Sequence, residues 1–517
     1  MKKGDLVTGT GIGLDFPNKA KVLLNPVEEA SKNDAPEKSA GKDNCVVRTK
    51  GVLPGQKVKL RIKKMHHGSP EGILLEVLEK SPLETESDCP HSDICGGCSY
   101  RTLPYEEQLK LKENQVKDLL RPVLEAGGVS LEEICEGIYG SPVLNGYRNK
   151  MEFSFGDEYK DGPLSLGLHK KGSMYDIVPV FDCQIVDEDF RKILKFTLEY
   201  FKERNIPYFH KTQHTGYLRH LLVRKSRKYG EILVALVTTS EMDQGGGVRG
   251  PFSESVTEEN GSSSFSEINR EANIQDILLA GFATGLQNLS LSGTLTGIVH
   301  TVNDSVADIV KDEGSEVLFG RAYIREELLG LQFRISQFSF FQTNSLGAEV
   351  LYGKVRDFLL NVEKGENEEK HTGVIYDLYS GTGTIAQLLA PVADKAVGVE
   401  IVEEAVEAAK ENAKLNGLDN CEFIAGDVLK VLDDLTDKPD MIILDPPRDG
   451  IHPKALPKIL SYGVERMVYV SCKPTSLARD LEVFISNGYL PTGLCMVDMF
   501  PGTVHVETVV LMSRVKE

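Results

Sequence analysis

The sequence predicts an α/β protein with a parallel-sheet domain at its C-terminal end, a small strand-rich unit at its N-terminus and mixed α+β structure between them. Three observations carry this. Strand and helix signals alternate from about residue 336 onward, the βαβ pattern of a parallel sheet. Near the N-terminus, Val58, Leu60 and Ile62 alternate with Lys57, Lys59, Arg61 and Lys63, the period of a half-buried strand. The 517 residues are 41% hydrophobic and 26% charged, which suits a globular chain with several cores and excludes a fibrous or wholly disordered one. The expected domains are 1–82, 83–335 and 336–517.

The N-terminal unit begins Met1-Lys2-Lys3-Gly4-Asp5, without the apolar core of a signal peptide. No apolar run in the chain approaches the ~20 residues of a membrane span, so a cytoplasmic protein with no membrane partner is expected. The net charge of −18 argues against nucleic acid as a partner, but the charge is unevenly placed. From Cys45 to Pro70 there is no acid, while Arg48, Lys50, Lys57, Lys59, Arg61, Lys63 and Lys64 all occur. Lys211 to Lys228 is a second acid-free run, holding Arg219, Arg224, Lys225 and Arg227. One such run is usually a solvated face. Two in so acidic a chain point to a surface that tracks phosphates. Val27 to Asn44 reads as a linker or insertion, and Ser240 to Asn273, rich in Ser, Gly and acids, as a mobile loop.

In the middle region the informative residues are cysteines. Nine in so long a chain do not make a secreted disulfide scaffold, so a cluster reads as metal-binding or catalytic. Cys89, Cys95 and Cys98 crowd the string Cys89-Pro90-His91-Ser92-Asp93-Ile94-Cys95-Gly96-Gly97-Cys98. Three thiolates so close suggest a metal or iron–sulfur site, with Cys183 the candidate fourth ligand. Zinc would accept the same four sulfurs, and spacing leaves both open. Cys45, Cys135, Cys421 and Cys495 stand alone and read as packing or surface residues.

The C-terminal region carries the cofactor signal. Val374 to Tyr379 reads as a strand, Ser380-Gly381-Thr382-Gly383-Thr384 as its turn, and Ile385 to Leu389 as a helix. Glycines at such a turn let the backbone approach a ligand, and a carboxylate further on can hold ribose hydroxyls. The next strand, Ala396 to Val399, ends in Glu400, 19 residues after Gly381. A helix from Glu403 to Asn416 follows, then Phe423-Ile424-Ala425-Gly426-Asp427. The strand Met441 to Leu444 ends in Asp445-Pro446-Pro447-Arg448. The composite resembles an S-adenosylmethionine-dependent methyltransferase more than a dehydrogenase, whose fingerprint needs a third glycine. Beyond it, Val468 to Ser471 is an apolar strand with Cys472 at its end, where a thiol is either a nucleophile or a small packing residue. Glu507 precedes the strand Thr508 to Leu511 and is either an edge carboxylate or a general base.

Taken in order, the CxxxxxCGGC string, Phe340-Phe341-Gln342-Thr343-Asn344, Asp377-Leu378-Tyr379-Ser380-Gly381-Thr382-Gly383-Thr384, Asp445-Pro446-Pro447-Arg448, Ser471-Cys472 and His505-Val506-Glu507 resemble the RNA uracil-5 methyltransferases. The resemblance is to the bacterial 23S ribosomal RNA branch that carries an iron–sulfur cluster, and it covers nearly the whole chain. It implies an N-terminal TRAM domain, an RNA-binding OB-like β-barrel, over 1–82. It implies an iron–sulfur central domain and a Rossmann-like catalytic domain. Cys89, Cys95, Cys98 and Cys183 match four ligands of a 4Fe-4S cluster. Gln342, Tyr379, Thr384, Glu400, Asp427 and Asp445 match contacts to S-adenosyl-L-methionine. Phe340 matches an aromatic that packs on the target base, and Cys472 and Glu507 match the nucleophile and the proton-abstracting base. Ser380 and Thr384 depart from a frequent Cys and Asn, and Lys473 from the usual Asn after the nucleophile. The implied partner is 23S ribosomal RNA, acted on by a monomer. Transfer RNA methylation, an inactive RNA-binding scaffold and a small-molecule methyltransferase are the rival readings. The intact Cys472, Glu507 and Asp445 oppose the scaffold, and the basic strand and cysteine cluster oppose the small molecule.

Overall fold

The computed structural model describes residues 1–25, 45–66, 69–242, 266–306, 311–360, 372–435 and 437–515. Strands β1 (Leu6–Asp15), β2 (Lys19–Leu24), β3 (Val46–Thr49), β4 (Lys57–His66) and β5 (Ser69–Glu79) close into a barrel in the order β1-β2-β3-β5-β4. Helices α1 (Tyr105–Ala126) and α2 (Leu131–Ile134) precede β6 (Cys135–Tyr139). Then come β7 (Lys150–Asp157), β8 (Leu164–His169), β9 (Ile177–Val178), α3 (Glu188–Glu203), β10 (Leu218–Lys225), β11 (Glu231–Thr238), α4 (Ser266–Gln287), β12 (Thr294–Val302) and β13 (Ser315–Gly320). The hairpin of β14 (Tyr323–Leu328) and β15 (Leu331–Ser336) leads to α5 (Ser345–Leu360). There follow β16 (Thr372–Leu378), α6 (Thr384–Leu389), β17 (Ala393–Glu400), α7 (Glu403–Leu415), β18 (Cys421–Ala425), α8 (Val428–Val431) and β19 (Met441–Leu444). The last elements are α9 (Ala455–Ser461), β20 (Arg466–Ser471), α10 (Pro474–Ser486), β21 (Tyr489–Val497) and β22 (Glu507–Arg514).

These elements form two compact units that do not follow the order of the chain. The first gathers Met1–Ser87, Ser99–Gly140 and Pro446–Glu517, and the second Asp88–Cys98 and Ser141–Asp445. In the first unit, Val22, Val47, Val58, Leu60 and Ile62 fill the barrel, and Tyr100 and Leu103 join the same core. The strands β20, β22 and β21 pair antiparallel, and β6 joins β21 in parallel.

The second unit holds two sheets. The larger runs β13-β12-β11-β10-β7-β8-β9 and is antiparallel except where β11 meets β12. Its interior strand β11 is buried throughout, with Ile232–Val237 all apolar, because both faces are covered. Phe201 of α3 and Phe282 of α4 pack with ring centroids 5.2 Å apart over one side of this unit's core. The other sheet is parallel, in the order β18-β17-β16-β19. No helix among the described residues is long and apolar enough to cross a membrane.

The barrel and the parallel sheet agree with the sequence reading, but the charge runs need correcting. On β4, Val58, Leu60 and Ile62 point into the barrel and Lys57, Arg61 and Lys63 outward, as the alternation predicts. The run is acid-free in sequence but not in space. Lys57 Nζ lies 2.8 Å from Glu79 of β5, Lys64 Nζ 3.3 Å from Glu71, and Lys59 is in register with Glu76. The second run is not a continuous basic face, because Arg219 and Arg224 are buried and, with Lys225, bonded internally, which leaves Arg227 and Lys228 exposed at its end. Arg219 donates to the carbonyls of Asn303 and Ser305, and Arg224 to those of Gln337 and Ser339. Lys225 pairs with Asp187 and Asp189, each at 2.7 Å. Of the expected insertions, 27–44 lies outside the described residues, as does most of 240–273. Residues 266–273 open α4, so the end of that stretch is helix where loop was expected.

Candidate active site

All four parallel strands of the second unit end on one edge, and that edge collects most of the expected donor contacts. Tyr379 follows β16, Glu400 ends β17, Asp427 follows β18 and Asp445 follows β19. The sheet order turns back at β16 and β19, the kind of switch point where ligands bind in open α/β sheets. Tyr379 itself adopts φ +70°, a left-handed conformation rare for a bulky residue and frequent at functional sites. The N–H groups of Tyr379 and Ser380 both reach Val399 O, at 2.9 and 3.0 Å, which bends the chain sharply into the glycine turn. Gly383 has no room for a side chain, since a Cβ there would lie 2.4 Å from the Phe423 ring.

Glu400 latches this turn. Its carboxylate accepts from Gly381 N and Val402 N, each at 2.9 Å. Asp427 caps α8 by accepting from Leu429 N at 2.9 Å. Thr384 is buried at the start of α6, with its hydroxyl 3.4 Å from that of Thr382. Thr382 Oγ1 also donates to Phe340 O at 3.2 Å, so the segment bearing Phe340 and Gln342 is tied to the glycine turn. The Phe340 ring is 68% exposed, open for stacking. Asn149 holds the same segment through Gln342 O at 2.8 Å, and Arg224 through Ser339 O.

One carboxyl on this edge escapes the sequence reading. Asp377, inside β16, is fully buried, and burial followed by the charges of Asp445 and Glu400 pushes it up to about 7. Its Oδ2 accepts from Ala386 N at 3.0 Å, while Oδ1 has no hydrogen-bond partner among the described residues. An acid one residue before the end of a mostly apolar strand was the available signal.

The first unit holds the other two candidates. β20 ends at Ser471 and β22 begins at Glu507, and their last paired residues are Ser471 and Thr508. Cys472 follows β20 by one residue and Glu507 is the first residue of β22, so the two lie at the same end of this ladder. Cys472 also lies one residue before Lys473, the N-cap of α10, whose dipole favours negative charge at that end. Glu507 is 4% exposed, far from an ordinary edge carboxylate. Burial pushes its carboxyl up to about 7, with Arg448 pulling the other way. Arg448 is itself held in place, because its carbonyl accepts from Ser476 Oγ of α10 at 2.8 Å.

The four clustered cysteines all belong to the second unit. The 88–98 loop is stitched to the end of β8 by Gly96 N to His169 O, 2.9 Å, and by a bridge between Cys95 and Lys170. Asp182 N donates to His91 Nε2 at 3.3 Å, which joins the loop to the Cys183 turn. Cys183 is pushed up to about 11 by burial, and the negative charges of Cys89 and Cys95 push it the same way. Burial also raises Cys95, where Gly97 N–H opposes the shift from 3.4 Å. Among the described residues, no group of three or more His, Cys, Asp or Glu stands in metal-holding geometry. The Asp182–His91 bond nonetheless brings the Cys183 turn to the loop that carries Cys89, Cys95 and Cys98.

Comparison with known proteins gives a consistent picture. The sequence profile of the tRNA (Uracil-5-)-methyltransferase family matches residues 302–515. An RNA methyltransferase of Caldanaerobacter subterraneus subsp. tengcongensis is 47% identical over 468 residues, covering 90% of this chain and 94% of the relative. One from Clostridium tetani is 44% identical, covering 90% of this chain and 92% of its own. The crystal structure of Pyrococcus abyssi tRNA (uracil-54, C5)-methyltransferase with S-adenosyl-L-homocysteine superposes with a TM-score of 0.65 at 22% identity. It covers 98% of this chain and 100% of that one, a likeness of fold.

Proposed function

Because this chain belongs to the RNA uracil-5-methyltransferase family, we propose that it methylates carbon 5 of a uridine in 23S ribosomal RNA through a covalent adduct to Cys472. S-adenosylmethionine-dependent methylation of uracil in RNA is the family's activity, and the residue roles below are our assignment. The observation that carries it is the placement of Cys472 and buried Glu507 at the same end of the β20–β22 ladder.

Carbon 5 of uracil is a weak nucleophile. The Cys472 thiolate adds to carbon 6, forming an S–C6 bond and moving an electron pair to the C5–C4 carbonyl system as an enolate. Carbon 5 then takes the sulfonium methyl, and neutral S-adenosylhomocysteine leaves. Glu507 accepts the proton from carbon 5, the C5–C6 double bond re-forms, and the S–C6 pair returns to sulfur as thiolate. A base near 7 suits this step at neutral pH. Gln342, Tyr379, Thr384, Glu400, Asp427 and Asp445 hold the methyl donor, with Glu400 exchanging its bond to Gly381 N for ligand hydroxyls. Flipping the uridine from its stack costs about a few kcal/mol. Stacking on exposed Phe340, worth ~1–3 kcal/mol, offsets part of this.

Cys89, Cys95, Cys98 and Cys183 would hold a 4Fe-4S cluster that crosslinks the 88–98 loop to the Cys183 turn. No step above passes through it. The ribosomal assignment follows the sequence resemblance carried by the cysteine string; the five-stranded barrel, read as a TRAM domain, suits either RNA, since the Pyrococcus abyssi transfer RNA enzyme superposes over 98% of this chain. Mapping 5-methyluridine across total RNA from a deletion strain and its complemented parent tests the reading. Loss of the mark from 23S RNA alone is expected, and loss from transfer RNA alone would move the substrate there.

A further inference from the structure

We propose that Lys112 and Gln108, on the buried face of α1, are positioning residues for the base Glu507, acting through the loop Asp498–Val506. The proposal rests on the reading of Glu507 given above. Lys112 Nζ donates to Asp498 Oδ1 at 2.7 Å and to Phe500 O at 3.2 Å. Both side chains of the pair are 0% exposed. Asp498 Oδ1 also accepts from Phe500 N at 3.0 Å. One helical turn earlier, Gln108 Oε1 accepts from Gly502 N at 2.7 Å, and Gly502 O accepts from Ser99 N and Tyr100 N, each at 2.9 Å.

The loop is thus held at Asp498, Phe500 and Gly502 by one helix and the turn before it. The constraint continues toward the base. Thr503 Oγ1 donates to Phe500 O at 2.8 Å and accepts from His505 N at 3.3 Å, while Val504 packs against the barrel core. Glu507 follows at once, in register with Val497, the residue just before Asp498. Both strands flanking the loop are set by the rest of their sheet, so what the clamp adds is the path of the nine residues between them.

Stability alone does not account for this arrangement. Two charges taken wholly out of water recover their desolvation cost only when every lone pair is satisfied, and apolar pairs of similar size are often as stable or more so. Asp498 Oδ2 has no hydrogen-bond partner among the described residues. Gln108, Lys112 and Gln115 also put polar groups on a helix face where packing favours Leu or Ile. A polar clamp fixes a loop's path directionally, which an apolar contact does not.

The test uses the full-length protein, S-adenosylmethionine labelled in its methyl group, and bulk RNA from a deletion strain. Lys112→Met, Lys112→Met/Asp498→Leu and Gln108→Leu are compared with wild type by melting temperature, rate of adduct formation and rate of product release. We expect adduct formation near the wild-type rate and release slowed about tenfold to a hundredfold, so labelled protein–RNA complex that survives denaturant accumulates. The double variant carries the test if the unpaired Asp498 unfolds the first, and Gln108→Leu, which keeps the ion pair, if both unfold. Release at the wild-type rate, or parallel loss of formation and release, overturns the proposal and makes the clamp purely structural. RNA containing 5-fluorouridine separates this from failure of the underlying reading. If it traps wild type but not Cys472→Ala, and Glu507→Gln accumulates the methylated adduct on natural RNA, the underlying reading stands whatever the Lys112 variants do.

Discussion

Cys472 and Glu507 sit one residue past the last pair of the β20–β22 ladder, Ser471 with Thr508. The ladder stops at Ser471 and Thr508, so the thiol and the carboxylate flank the same end of it, each adjacent in sequence to one member of its last pair. Such a pair can add to one side of a ring and take a proton from it. Cys472→Ala should therefore abolish methyl transfer while leaving S-adenosylmethionine affinity unchanged. Radiolabel incorporation into RNA and calorimetric titration of the cofactor are the measurements. Turnover by the Ala variant would remove the nucleophile assignment.

The Glu507 carboxyl should govern release rather than attack. Glu507→Gln is expected to form the methylated adduct and then hold it, seen as a protein–RNA band stable to denaturant on natural RNA. In wild type, release needs the ionised carboxylate, and burial has raised that group to about 7. The release rate should rise with pH through about 7 and level off above it. A flat profile from pH 6 to 8 would assign proton removal to another group.

Much of this was legible because it depends on local pattern. The glycine turn, Glu400 and Asp445 announce themselves through strand–turn–helix spacing, and Val58, Leu60 and Ile62 through a period of two. What failed depends on which strands become neighbours. The acid-free stretch around Lys57 to Lys64 gave no sign that Glu71, Glu76 and Glu79 of β5 would lie beside it. The second basic run misled for a related reason. Arg219 and Arg224 occupy an interior strand and bond backbone carbonyls of segments around 80 to 115 residues away in sequence. Lys112 and Asp498, 386 residues apart, could not be paired from one sequence at all. The burial that distinguishes Glu507 from an edge carboxylate also comes only from the assembled sheet.

The cysteine cluster yields a compositional prediction. Protein purified without oxygen should be brown and contain iron and sulfide in roughly four-to-four ratio, as expected for a cubane cluster held by four thiolates. Cys183→Ser should lose the iron and loosen the 88–98 loop, raising its amide exchange, while the parallel sheet stays protected. One zinc per chain with no iron would restore the zinc alternative.

Two buried carboxyls should make the fold more stable in mild acid. Asp377 and Glu507 are each held at about 7, above their ordinary 3.8 and 4.5. The folded state therefore keeps these protons longer than the unfolded chain. Their contribution is complete below pH ~4 and is lost as pH rises to about 7, by an order of a few kcal/mol each. His300, buried and lowered to about 4, works in the opposite direction below its ordinary 6.5. The useful quantity is accordingly the difference between wild type and variant. Asp377→Asn and Glu507→Gln should each gain stability relative to wild type between pH 5 and pH 8 in urea unfolding. A pH-independent difference would mean that neither carboxyl carries a proton in the folded state near neutrality.

The basic strand of the barrel gives the last test, sharpened by its neighbours. Lys57, Lys59 and Arg61 project from β4, but Glu79 pairs with Lys57 and Glu76 lies opposite Lys59. Exposed pairs of this kind are worth only about 0–1 kcal/mol, so phosphate can displace a carboxylate partner without much cost. Each phosphate neutralised on single-stranded RNA contributes about −0.7 to the slope of log K against log salt. Lys57→Ala/Lys59→Ala/Arg61→Ala should weaken RNA binding and flatten that slope by up to about 2, with Arg61, which faces apolar Leu6 and Ile73, the largest single contributor. Glu76→Gln/Glu79→Gln should do the reverse, tightening binding by freeing the two lysines. Wild-type affinity and slope in both variants would leave β4 a solvated strand, its charges answered by β5 alone.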